Sequence, residues 1–250
     1  MKKLFNNYKI LCLILCILLI VCSTFIVTIG SVSLKGTDVW KIIVNKSLGR
    51  EIFQKEWKNR IEIIVWNLRV PRIIMGMTAG GALALVGILM QCLTKNPLAS
   101  PYILGISAGA STGAVMAILF LGGTMLSVPI GAFVFGTFTA FLVFYFAGAG
   151  GFSSTRLVLI GVAVSSLFSG ITTLMIMMAP NEKELRGAIF WMSGSLGGSN
   201  WKYIPFALIS LGVSFFLVYP KYRELNILVT GDNFLPVLQN SILSEAYTRN

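Results

Sequence analysis

The chain has 250 residues, of which 56% are hydrophobic and only 12% charged, a balance that excludes an ordinary soluble domain and fits a polytopic membrane protein. It contains no histidine, and its nine carboxylates all lie outside the apolar runs, which removes the buried ionisable groups that ion-coupled carriers and membrane metalloenzymes need. The formal charge of +11 sits in the loops between apolar runs, so it reads as membrane flanks rather than as a nucleic-acid surface.

Apolar runs bounded by breakers predict six membrane helices, near 10–32, 72–94, 102–121, 126–147, 156–179 and 202–219. All are expected to be α-helical, because an open sheet edge cannot satisfy its backbone in lipid. The expected fold class is therefore all-α, a polytopic membrane helix bundle. Lys2, Lys3 and Lys9 place the amino terminus in the cytoplasm. Alternation then puts 33–71 and 180–201 outside, and 95–101, 148–155 and everything after 220 inside. The first outer loop opposes this rule, since Lys35, Lys41, Lys46, Arg50, Lys55, Lys58, Arg60 and Arg69 outnumber its four acids. Within it, Ile52, Phe53, Trp57, Ile61 and Ile64 or Val65 recur at helical spacing, which predicts an amphipathic helix over 51–66 lying on the membrane surface or on the protein's own rim.

The second span holds Gly76, Gly80, Gly81 and Gly87 near helical spacing, a pattern that allows a neighbouring helix to approach closely. Asn96-Pro97 and Ser100-Pro101 stop that helix. In the third span Gly105, Gly109 and Gly113 are four apart and read as packing scaffold. Gly194, Gly197 and Gly198 form a flexible turn between Trp191 and Trp201. Cys12, Cys16, Cys22 and Cys92 lie within the first two spans with no metal or redox spacing, so no cofactor is expected.

The order R-x-P-R, a small-residue helix ending in Gln, N-P-L-A-S-P-Y-I-L-G and S-A-G-A resembles the permease subunits of ATP-binding-cassette importers for iron complexes and cobalamin. T-R-L-V-L-I-G from Thr155, F-W-M-S-G-S-L-G-G-S-N-W from Phe190 and Leu225-Asn226 agree with it in order and spacing. The resemblance implies a translocation pathway formed with a second permease copy, a cytoplasmic ATPase, an extracytoplasmic substrate-binding protein and surrounding membrane lipid. It implies no nucleic acid and no catalytic residue. The cargo class it implies is an iron-siderophore-type complex, with haem or cobalamin as alternatives, and the location is the cell membrane of a bacterial type of cell.

Particular residues receive roles through the same resemblance. Arg69 and Arg72 are expected to dock the binding protein; interfacial anchoring is the competing reading. Asn96 and Leu98 in the cytoplasmic turn, with Ser154 opposite, are expected to border the gate, with helix capping as the competing reading. Leu225, Asn226, Gly231 and Asp232 are expected at the contact with the ATPase. The family pattern breaks off after Gly231, where Pro236 interrupts the coupling helix and four of the ten expected spans do not follow. The expected organisation is thus a permease portion over 1–231 and a divergent cytoplasmic tail over 232–250. A truncated inactive fragment, or a non-transporting membrane interaction protein, is the alternative reading, and by itself the chain is expected not to support uptake.

Overall fold

The computed structural model describes residues 8–30, 32–149 and 153–230. Ten α-helices run through them: α1 Tyr8–Thr28, α2 Gly36–Leu48, α3 Asn59–Ile63, α4 Val70–Thr94, α5 Ile106–Phe120, α6 Ser127–Gly148, α7 Ser154–Met177, α8 Glu182–Met192, α9 Ile204–Val218 and α10 Tyr222–Thr230. A π-helical turn, Ile64–Arg69, joins α3 to α4, and 3₁₀ turns span Pro101–Leu104 and Tyr219–Lys221. Among the described residues, five helical stretches are long and apolar enough to cross a membrane: Tyr8–Thr28, Asn59–Thr94, Ser127–Gly148, Ser154–Met177 and Ile204–Leu228. The span predicted over 102–121 is shorter than expected. Gly105, at φ 67°, breaks it from the 3₁₀ turn, and the 15 residues of α5 reach about 22 Å against a hydrocarbon core of about 30 Å.

The chain forms two compact units, Met1–Gly81 with Leu196–Gly212, and Ala82–Ser195 with Val213–Asn250. In the first, the loop predicted as a surface strip is a folded cap. Val39 and Ile42 of α2 are buried against Val27 at the end of α1, Trp57, and Val65 of the π turn. The amphipathic helix expected over 51–66 does not form as such. Residues 51–58 are irregular, held by Asn45, whose amide donates to the Phe53 carbonyl at 2.8 Å and accepts from the Ile52 and Phe53 amides. The helix starts at Asn59 and runs on into the second span. Glu62 in α3 accepts from Lys46 Nζ at 2.7 Å and Lys55 Nζ at 2.6 Å. These lysines hold its carboxyl down at about 2.

Pro71 explains the π turn. Its ring cannot sit in a regular helix without striking the carbonyl four residues back, and it has no N–H to donate. The Val70 amide bonds to the Val65 carbonyl, five residues back. In that register the carbonyl of Trp66 would look to residue 71 and find no donor. The indole Nε1–H of Trp201 fills the vacancy at 2.8 Å, while its ring lies 4.7 Å from that of Trp66.

The second unit is built around α5, which packs on α6, α7 and α8 and buries Gly109, Thr112, Gly113, Ala114 and Val115. A Cβ on Gly109 would collide with Thr139 and the Phe135 carbonyl, and one on Gly113 with the Gly131 carbonyl, so these glycines set the α5–α6 approach. Thr112 Oγ1 lies 2.7 Å from Thr172 Oγ1 and 3.0 Å from the Phe168 carbonyl, a polar tie between α5 and α7. The glycines of the second span behave otherwise: among the described residues Gly80 and Gly87 meet nothing within 4 Å, while Gly76 and Gly81 meet only the side chains of Leu196 and Leu211. Of the two glycine-rich spans expected to allow close approach, α5 is the one that meets a neighbouring backbone within this chain.

Candidate functional site

The turn after α4 is built from its own residues. Lys95 takes a left-handed φ of 50°, and Asn96 Oδ1 accepts the Leu98 amide at 2.9 Å in an Asx turn. Gln91 Nε2 donates to the Pro97 carbonyl at 3.1 Å. Ser100 Oγ accepts the Tyr102 amide and opens the 3₁₀ turn, with Pro101 at its first position. Gly105 then reverses the chain: a Cβ there would lie 2.5 Å from Ser165 Oγ, and the backbone of Gly161 meets that of Ile103 too closely for a side chain. The I-L-G and L-I-G glycines of the sequence are therefore partners across α5's start and α7.

Ser154, at the first position of α7, donates from Oγ to the Leu93 carbonyl at 3.1 Å. This bond brings the start of α7 to the end of α4, so the predicted gate residues Asn96 and Ser154 stand at one end of the second unit. Beneath them Met90, Ala99, Leu104, Val143, Ala147 and Leu157 form a continuous apolar floor. Leu98 is 88% exposed at the apex of the turn. The turn thus offers hydroxyl and amide groups and one apolar side chain at Asn96, Leu98 and Ser154, with the exposed Lys95 beside them.

The two arginines of R-x-P-R separate. Arg69 is turned onto the end of α1, where Nη1 donates to the carbonyls of Val27 at 2.7 Å and Thr28 at 3.0 Å, and Nη2 donates to that of Val32. It caps a helix C-terminus, where carbonyls are unpaired and the dipole favours a cation. These bonds use three of the five N–H donors of its guanidinium on the end of α1, which gives Arg69 a structural part in this unit. Arg72 is exposed and makes no ion pair among the described residues. Leu225 is half-buried and Asn226 exposed on α10, whereas Gly231 and Asp232 lie outside the described residues. The sequence reading missed the Trp66–Trp201 pair, although Pro71 in the middle of a helical run signalled a carbonyl in need of a donor.

Residues 15–235 match the model of the FecCD transport family. The chain belongs to the FecCD transport family. It is 37% identical over 187 residues to the achromobactin transport system permease protein CbrC of Dickeya dadantii, covering 70% of this chain and 53% of that protein. It is 36% identical over 174 residues to the cobalamin import system permease protein BtuC of Halobacterium salinarum, covering 68% and 46%. The chain spans about half the length of these curated relatives. Among solved structures, it is similar to a chain described as a metal-chelate type ABC transporter in an inward-facing conformation, with a TM-score of 0.72 and 26% identity over 95% of this chain and 68% of that one. As a FecCD chain with five helices long enough to cross a bilayer, it is a multi-pass protein of the cell membrane.

Proposed function

We propose that the chain serves as a permease subunit of an ATP-binding-cassette importer for a metal chelate of the iron-siderophore type, with haem or a corrinoid as the alternative cargo. It lines a translocation pathway with a second permease copy, receives cargo from an extracytoplasmic binding protein, and is driven by a cytoplasmic ATPase. The amino terminus and the Asn96 turn face the cytoplasm, and the α2 cap faces outward. Asn96, Leu98 and Ser154 form the cytoplasmic rim of the pathway, Arg72 meets the binding protein, and Leu225 and Asn226 lie toward the ATPase together with Gly231 and Asp232.

The observation that carries this reading is the Ser154–Leu93 bond, which brings the start of α7 to the end of α4 beside the Asn96 turn in a chain of the FecCD family. No carboxylate lies within the apolar runs at 10–32, 72–94, 102–121, 126–147, 156–179 and 202–219 to couple transport to an ion gradient, so the energy has to come from a partner. The test is uptake of a radiolabelled ferric chelate in a permease-deleted host that supplies the binding protein and ATPase. Uptake that depends on this chain and fails with an ATPase unable to hydrolyse ATP supports the proposal. Binding to a full-length permease without any uptake would favour a non-transporting membrane protein.

A further inference from the structure

The cap of the first unit leaves two adjoining hollows that the transport reading does not use. One, about 170 Å³, is apolar and runs along the spans, lined by Val27, Ile43, Ile73, Ile74 and Met77 with Trp40 at its mouth. The other, about 590 Å³ and more open, lies beside Thr28, Gly30 and Ser33. Thr24 and Trp40 line both, so the two adjoin across these side chains.

From their chemistry we propose that these hollows hold one anionic phospholipid of the leaflet that meets the carboxyl end of α1. The acyl chain lies in the Val27–Met77 groove and the phosphate in the polar hollow.

Three features select this occupant. The first is the level: Val27 closes α1 and Val70 opens α4, so the cap that packs on them sits where the spans leave the hydrocarbon. The second is the face of α2 turned away from its core, where Trp40 and Leu48 are 47% and 59% exposed and stand eight residues apart, with Val44 half-buried between them. An indole with aliphatic neighbours on such a face is the composition of a helix lying among headgroups. The third is charge. The Thr24 and Thr28 hydroxyls donate to the carbonyls of Val21 and Phe25, and Arg69 is held on three carbonyls at the end of α1. Ser33 lines the polar hollow and the exposed Lys35 stands between its lining residues Leu34 and Gly36; neither Ser33 Oγ nor Lys35 Nζ has a hydrogen-bond partner among the described residues. A hydroxyl and an ammonium favour a phosphate that carries net charge over a zwitterionic headgroup.

The excess of cations in this loop, contrary to the usual charge bias, thereby gains a role. Lys35, Arg50, Lys58 and Arg60 are exposed with no ion pair among the described residues, and they raise the local concentration of anionic lipid.

The experiment uses the whole chain in vesicles of phosphatidylcholine or phosphatidylglycerol brominated at mid-chain, in which bromine quenches nearby indole. The difference between wild type and Trp40→Phe isolates the Trp40 signal. Competition between the two lipids is expected to favour phosphatidylglycerol at Trp40 by about fivefold. Lys35→Gln, an exposed change that leaves the helical circular dichroism intact, is expected to bring that ratio near one. Inorganic phosphate is expected to leave it unchanged. Equal quenching by both lipids in wild type would overturn the proposal, as would no quenching of Trp40. Protection of Trp40 by an added binding protein but not by lipid composition would overturn it in favour of a protein partner.

Discussion

Trp201 donates its indole N–H to the main-chain carbonyl of Trp66, 135 residues away, at 2.8 Å, and stacks its ring at 4.7 Å on that of Trp66. The bond repairs a vacancy that Pro71 opens in the second span. It also ties Leu196–Gly212 to the rest of the first unit. Trp201→Phe keeps most of the stack and removes the donor, and is expected to destabilise the unit by about 1–2 kcal/mol. In a Pro71→Ala background, where residue 71 regains an N–H, the same change is expected to cost less. A double-mutant cycle on thermal unfolding in detergent measures the difference.

Arg69 acts as the cap of α1, so its loss is a defect of folding. Arg69→Gln is expected to release three carbonyls and lower stability by about 2 kcal/mol. Gly30→Ala is expected to reproduce part of that loss, because its Cβ would lie 2.6 Å from Arg69 Nη2. Thermal unfolding and protease sensitivity of the cap read both changes.

Arg72 is exposed, and in the proposed function it meets the binding protein. Arg72→Glu is expected to weaken binding-protein affinity about tenfold and to flatten its salt dependence while leaving thermal stability unchanged. Arg69→Glu is expected to unfold the cap first. Binding measured in nanodiscs beside melting curves separates the two.

Glu62 gives the cap a defined acid response. Its carboxyl lies at about 2 against an ordinary 4.5 because Lys46 and then Lys55 donate to it. A depressed carboxyl contributes stability above its unfolded value, and that contribution is lost as pH falls through the folded one. The cap is therefore expected to weaken progressively between about pH 4.5 and pH 2, and Glu62→Gln is expected to remove that component. Fluorescence of Trp57, whose indole lies 3.4 Å from Glu62 Oε2, follows it.

The glycines of the two spans are expected to differ sharply. Gly109→Ala forces α5 from α6 and is expected to cost about 1–3 kcal/mol. Gly87→Ala adds a methyl where nothing lies within 4 Å and is expected to be neutral or to stabilise by up to about 1 kcal/mol. Helix content against temperature in detergent distinguishes them.

The sequence by itself determined the class and the line of the spans. Hydrophobic length is a one-dimensional property, and the runs at 126–147 and 156–179 became α6 and α7 within two residues at each end. Asn96-Pro97 and Ser100-Pro101 also marked their turns, because proline and asparagine act on the backbone beside them. Only the tertiary structure decided what the arginines and glycines do. Gly80 and Gly109 look alike in the chain, yet only Gly109 meets Thr139, and Arg69 and Arg72 look like a pair although one is spent on the end of α1. The loop before the second span was misread for the same reason. α2 is helical because Val39 and Ile42 find Val27 and Val65, residues 12 and 23 positions away at the nearest, and local periodicity carries no record of such partners.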